Sequence, residues 1–88
     1  MKIVWTEQGW GDYRLWQRAD PKIHGAINDL IRDIQRDPFR GLGKPEPLKH
    51  VLQGWWSRRI TAEHRLVYRV SGKGGRQQLE IAQCRYHY

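Results

Sequence analysis

The chain contains residues suited to acid–base chemistry on a phosphodiester, at positions far apart in the sequence. Cleavage of RNA without a metal requires a base for the 2′-hydroxyl, cations for the crowded phosphate and an acid for the leaving 5′-oxygen. Glu46 stands between Pro45 and Pro47, which restrict the backbone, so we expect its carboxylate on a stiff, extended segment as the base. Spacing alone favours an ordinary exposed loop glutamate, because Glu side chains are mostly exposed.

The segment Cys84–Tyr88 combines two tyrosines with an imidazole and a guanidinium. Arg pairs with phosphate, Tyr stacks on bases and His transfers protons near neutral pH, so this composition suits an anionic polymer that carries bases. We expect the segment to continue the last strand, to dock on the sheet and to line a cleft, with His87 as the general acid. A structurally satisfied edge strand is the alternative.

A cationic patch is predicted on one β-hairpin. Side chains at alternate positions of a strand share a face, so at least some of the hairpin arginines should project together. The hairpin arginines are Arg58, Arg59, Arg65 and Arg69. The aromatic residues Trp55, Trp56 and Tyr68 interleave with them and are suited either to base stacking or to the core. Composition and spacing alone support two functions almost equally, an RNA-binding module and a metal-free ribonuclease.

The elements that must position these residues follow from caps and periodicity. A short strand at Ile3–Trp5 is followed by a helix after Thr6, and Asp20-Pro21 begins a second helix that must end at Asp37-Pro38. A loop rich in Gly and Pro precedes the hairpin, a glycine-rich turn follows it, and a last strand runs from Leu79 to Tyr88. The predicted fold is α+β, with two helices packed on a twisted antiparallel sheet.

Length and composition limit the classes of function. The 88 residues predict a single domain, 1–88, and the net charge of +7 predicts an anionic partner, which is nucleic acid, an acidic protein or a membrane surface. No apolar run approaches the roughly 18 residues of a membrane span, and the segment before Thr6 is too short for a signal peptide. The single cysteine excludes an internal disulfide, and the scattered histidines lack metal-ligand spacing. We therefore expect a soluble, cytoplasmic protein that needs no cofactor.

Four segments together resemble the YoeB family of the RelE/ParE-like type II toxin–antitoxin superfamily. The segments are Gly43–His50, Trp56–Ile60, His64–Tyr68 and Cys84–Tyr88, and the resemblance runs essentially from Met1 to Tyr88. It implies a RelE-like fold similar to small microbial ribonucleases. It also implies an endoribonuclease that cuts mRNA in the A site of the translating ribosome.

The resemblance implies a role for each matching residue. Glu46 is the general base, Arg65 stabilises the transition-state phosphate, His87 is the general acid and Tyr88 positions or stacks on the mRNA. Lys49 and Arg59 match basic positions expected to bind substrate, whereas Glu63 matches an acidic position with an accessory role. The implied partners are mRNA, the ribosome, an acidic YefM-like antitoxin and a second copy of the chain.

One departure from the family pattern and two alternative functions remain. The glycine-rich hairpin around Lys73, Gly74 and Gly75 is longer than the family pattern, which would alter ribosome or partner contacts and leave the chemistry unchanged. One alternative is a non-catalytic module that binds ribosomal RNA or DNA. The other is a toxin subgroup of this fold that poisons DNA gyrase, against which Glu46, Arg65 and His87 together argue.

Overall fold

The computed structural model describes residues 1–87, and both helices begin and end where the sequence supplies the caps. Helix α1 spans Glu7–Ala19, and the hydroxyl of Thr6 accepts a bond from the Gly9 amide at 3.0 Å. Helix α2 spans Pro21–Arg36, and the Asp20 carboxylate accepts bonds from the amides of its first turn. Because capping groups satisfy amides that have no partner within the helix, these boundaries follow from local sequence.

The sheet has five strands in the order β1-β5-β4-β3-β2. Their bounds are β1 Lys2–Trp5, β2 Glu46–Pro47, β3 Trp56–Arg59, β4 Arg65–Ser71 and β5 Gln78–Gln83. Strands β2 to β5 pair antiparallel with their neighbours, whereas β1 pairs parallel with β5. The predicted α+β fold is confirmed, and the sheet is mixed because β1 lies beside β5, the last strand in the chain, and runs in the same direction.

The helices cover one face of the sheet and form the core with it. The buried stripe of α2 packs with alternate residues of β4 and β5, and the cluster includes Ile27, Leu30, Ile31, Ile34, Leu66, Tyr68, Leu79 and Ile81. Gly9 brings α1 close to β5, since a Cβ there would lie 2.5 Å from the carbonyl oxygen of Ile81. The opposite face of β3 and β4 is thereby left to carry the candidate site.

The prediction that the last strand continues to the end of the sequence is wrong. Strand β5 ends at Gln83, after which the Cys84 amide donates to Oδ2 of Asp12 in α1 at 3.1 Å. Tyr86 then adopts a left-handed backbone, with φ of 60°, which an extended strand does not allow. Residues 84–87 therefore leave the sheet ladder and turn.

Neither helix in the described part of the chain has the length and continuous apolar character that a bilayer-spanning segment requires.

Candidate active site

Strand register brings three candidate residues, with Ser57 between them, to the sheet face opposite the helices. Glu46 of β2 lies opposite Ser57 of β3, and Arg59 of β3 lies opposite Arg65 of β4. Directly opposed residues of antiparallel strands share a face, and so do residues two apart on one strand. The carboxylate of Glu46 and the guanidiniums of Arg59 and Arg65 therefore project from the same side of three adjacent strands.

The loop before β2 is held against β3 by a close backbone contact. The carbonyl of Gly43 accepts a hydrogen bond from the Arg59 amide at 2.6 Å. Gly43 has φ of 77°, and a Cβ there would come within 2.8 Å of the Arg59 carbonyl oxygen. Because only glycine tolerates both the conformation and the approach, this residue fixes the distance between the loop and the arginine strand.

These elements enclose a small cavity of about 80 Å³. It is lined by Gly43, Lys44, Glu46, Ser57, Arg59 and Arg65. Three cationic side chains thus surround one carboxylate, a distribution that favours an anion such as a phosphate. Within residues 1–87, no three His, Cys, Asp or Glu side chains are grouped so as to hold a metal ion.

The side chain of Arg65 is fixed by backbone carbonyl groups of the turn that precedes it. Its Nη1 donates to the carbonyls of Thr61 at 2.8 Å, His64 at 3.2 Å and Ala62 at 3.4 Å. Its own amide donates to the carbonyl of Tyr86 at 3.1 Å. A guanidinium held in this way loses little entropy when it binds an anion, which is the arrangement that electrostatic catalysis requires.

The C-terminal segment is bonded both to α1 and to the start of β4. Besides the bond of its amide to Asp12, Cys84 accepts a bond at its carbonyl from Nε1 of Trp16 at 2.9 Å. Two residues later, the Tyr86 amide donates to Nδ1 of His64 at 2.8 Å. His87 follows and is exposed, and it is absent from the described residues that line the cavity. Tyr88 lies outside the described residues.

Two further residues that the sequence selected do not line this cavity. Lys49 lines an adjoining cavity of about 480 Å³, which is formed by residues 46–52 and shares Glu46 with the first. Glu63 is exposed in the link between β3 and β4, where its amide donates to the Thr61 hydroxyl at 3.2 Å. Lys49 is therefore placed to contact a ligand that extends past Glu46.

The hairpin arginines do not form one surface, because Arg58 is completely buried. Its guanidinium donates to Oδ2 of Asp33 at 2.6 Å, to the Tyr68 hydroxyl at 3.1 Å and to three carbonyls of the loop after α2. Arg69 pairs with Glu80 at 2.7 Å and lies 4.4 Å from the ring of Trp55. Of the four arginines, Arg59 and Arg65 are the two that line the cavity.

Sequence reasoning did not select Lys44 and Ser57, which also line the cavity. Ser57 precedes Arg59 by two residues, and the two-residue period of a strand would have placed both on one face. Lys44 precedes Glu46 by two residues, but its backbone is left-handed, with φ of 52°. A lysine in the sequence does not predict this uncommon conformation. The docking of this loop on β3 is what brings Lys44 to the cavity.

Comparison with known proteins identifies a family. Residues 5–88 match the profile of the YoeB-like toxin of bacterial type II toxin–antitoxin systems. Toxin YoeB of Escherichia coli strain K12 is 58% identical over 88 residues, with 100% of both chains covered. The structure of a YoeB/ParE toxin from Agrobacterium tumefaciens is 64% identical, with 100% of both chains covered and a TM-score of 0.96.

A second solved relative is known in two assemblies. YoeB from Staphylococcus aureus, described as a dimer and as a heterotetrameric YoeB–YefM complex, is 43% identical with a TM-score of 0.89. The comparison covers 100% of this chain and 98% of that one. The similarity therefore extends over the elements that carry Glu46, Arg59 and Arg65.

Proposed function

The chain belongs to the YoeB-like toxins of bacterial type II toxin–antitoxin systems, and from this membership we propose that it is a ribosome-dependent endoribonuclease. Its substrate is mRNA in the A site of the translating ribosome, in the cytoplasm. The observation that carries the proposal is the strand register that directs Glu46, Arg59 and Arg65 into one cavity. A carboxylate beside two guanidiniums supplies the base and the cations that phosphodiester cleavage needs.

In the proposed reaction, the Glu46 carboxylate takes the proton of a ribose 2′-hydroxyl, and the 2′-oxygen attacks the adjacent phosphorus. Arg65, with Arg59 beside it, stabilises the negative charge that accumulates on the phosphate oxygens. The bond from phosphorus to the 5′-oxygen breaks, and His87 donates a proton to that oxygen. The products are a 2′,3′-cyclic phosphate and a 5′-hydroxyl end, so the step needs no external nucleophile.

The remaining site residues act on substrate position in this proposal. Lys49 contacts the mRNA backbone beyond Glu46, in the adjoining cavity. Tyr88 stacks on or orients an mRNA base. Lys44 adds a third cation at the scissile phosphate. The family resemblance had selected only the other two cations of this cavity, Arg59 and Arg65.

We further propose that the chain is neutralised by an acidic, YefM-like antitoxin and forms a homodimer. The S. aureus relative is described in both kinds of assembly. The net charge of +7 suits an acidic partner, and Trp10, Phe39, Leu42 and Val51 are exposed apolar side chains available for burial. A disordered antitoxin segment that folds on binding would need both burial and charge pairing to offset its ordering entropy.

The direct test adds the purified chain to translating ribosomes in the presence of a chelator. We expect mRNA fragments that end in a 2′,3′-cyclic phosphate or its hydrolysis product, and no cleavage when the sugar at the cut is 2′-deoxy. Glu46→Gln should lower the cleavage rate at least about 100-fold, because it removes the base. Glu7→Gln, an exposed position in the first turn of α1, is the matched control and should cleave normally.

The outcomes separate this function from its alternatives. Cleavage of the 2′-deoxy message would refute attack by the 2′-hydroxyl. Ribosome binding without any turnover would identify a non-catalytic RNA-binding module. Inhibition of DNA gyrase with intact mRNA would place the chain with the gyrase-directed toxins of this fold.

A further inference from the structure

His64 is almost completely buried, although it lies in the short link between β3 and β4. His64 is 9% exposed, and its imidazole ring packs edge-on against the ring of Trp16, with the two ring centroids 4.8 Å apart. Its amide donates to the Thr61 hydroxyl at 3.2 Å, and its carbonyl accepts bonds from the amides of Ile60 and Thr61. Both the backbone and the imidazole of this residue are therefore held in one orientation.

The imidazole uses Nδ1 to bind the backbone of the C-terminal segment. Nδ1 accepts the Tyr86 amide at 2.8 Å, which requires that this nitrogen carry no proton. The next residue, Arg65, donates its amide to the Tyr86 carbonyl at 3.1 Å. Both backbone polar groups of Tyr86 are thus bonded to two consecutive residues, one just before β4 and the other its first residue.

These bonds hold Tyr86 in a conformation that is uncommon for residues other than glycine. Its φ of 60° lies in the left-handed region, which costs energy for a residue with a Cβ and persists only where the surroundings enforce it. Tyr86 is the residue directly before His87, and Arg65 supplies a guanidinium to the cavity. The dipeptide His64–Arg65 therefore connects the geometry of the cavity to the direction in which the chain enters His87.

We propose that His64 is a positioning residue, whose Nδ1 fixes the turn at Tyr86 so that His87 is delivered to the phosphate held by Arg65. The inference rests on the nuclease function proposed above and extends it to a residue that touches no substrate. Loss of the bond would leave the mRNA-binding cations in place while the acid samples many positions. The effect should consequently fall on kcat, with little change in KM.

Two substitutions separate the hydrogen bond from packing. His64→Leu keeps an apolar side chain against Trp16 but has no acceptor, whereas His64→Asn places an amide oxygen near the position of Nδ1 but fills less space. We expect His64→Leu to lower kcat about 10- to 100-fold and His64→Asn to recover most of that loss. Thermal stability should follow the opposite order, with the Leu variant more stable than the Asn variant. A purely structural role would make activity follow stability.

A measurement that does not depend on nuclease activity completes the test. Hydrogen exchange of the Tyr86 amide should be slow in the unsubstituted chain and in His64→Asn, and faster in His64→Leu. Equal kcat in the unsubstituted chain and the Leu variant, or equal protection of this amide in all three proteins, would overturn the inference. If the unsubstituted chain cleaves no mRNA, the proposed function fails, and faster exchange in His64→Leu would still show that His64 holds the turn.

Discussion

Arg58 and Arg59 are consecutive residues of β3 that face opposite sides of the sheet. Arg58 is fully buried on the helix side, where its guanidinium binds the Asp33 carboxylate at 2.6 Å and the Tyr68 hydroxyl at 3.1 Å. Arg59 is exposed and lies opposite Arg65 at the cavity. The same side-chain chemistry therefore stabilises the fold at one position and presents charge to a ligand at the next.

This difference predicts opposite effects for two equivalent substitutions. Arg58→Ala should lower the free energy of unfolding by roughly 3 kcal/mol or more, because it leaves buried carbonyl groups without their donor and removes the ion pair with Asp33. Arg59→Ala should change stability by less than about 0.5 kcal/mol, as surface substitutions usually do, and should weaken mRNA cleavage. Urea unfolding and ribosomal cleavage assays of both variants provide the measurement. Similar losses of stability in the two would contradict the assignment.

The carboxylate of Asp33 predicts a loss of stability in acid. The amide of Leu42 and the guanidiniums of Arg58 and Arg36 lower the pKa of Asp33 from 3.8 to about 2. The folded protein stabilises the ionised carboxylate of Asp33 more than the unfolded chain does. The ionised carboxylate therefore adds to the stability of the fold above about pH 4, and this stabilisation is lost as the pH falls towards 2. Urea unfolding between pH 6 and about pH 2 should show the loss.

The control for the acid effect is Asp33→Asn, which keeps the shape of the side chain and cannot titrate. We expect this variant to be less stable than the unsubstituted chain at pH 6 and to show a smaller decrease in stability on acidification. An equally steep decrease in both proteins would mean that carboxyl groups other than Asp33 cause most of the loss of stability in acid.

The thiol of Cys84 should be inert in the folded protein. Burial, with a smaller contribution from Asp12, raises the pKa of Cys84 to about 12. At pH 8 only about one thiol in ten thousand would then be ionised, and access is also restricted. A thiol reagent should modify the native chain far more slowly than the urea-unfolded chain. Ser71→Cys, at an exposed position of β4, should react rapidly in the native state, and equally fast modification of native Cys84 would contradict the prediction.

The sequence alone determined the helices and much of the candidate site. Thr6, Asp20 and Asp37 lie at helix ends because caps act on amides and carbonyls within one turn, so a local sequence pattern contains the information. The two-residue period of strands predicted that at least some hairpin arginines share a face, and Arg59 and Arg65 do. Resemblance to the YoeB family selected Glu46, Arg59 and Arg65, which do line one cavity.

The tertiary structure decided which side chains are buried and stabilise the fold, and which side chains line the candidate site. The period of a strand does not say which face the helices will cover, so the burial of Arg58 depended on α2 and its loop, residues 21–42. Likewise, the contacts of His64 with Trp16 and Tyr86, and the approach of Gly43 to β3, join residues far apart in the chain. Local propensity cannot encode such contacts, because they form only when packing of the whole core brings distant segments together.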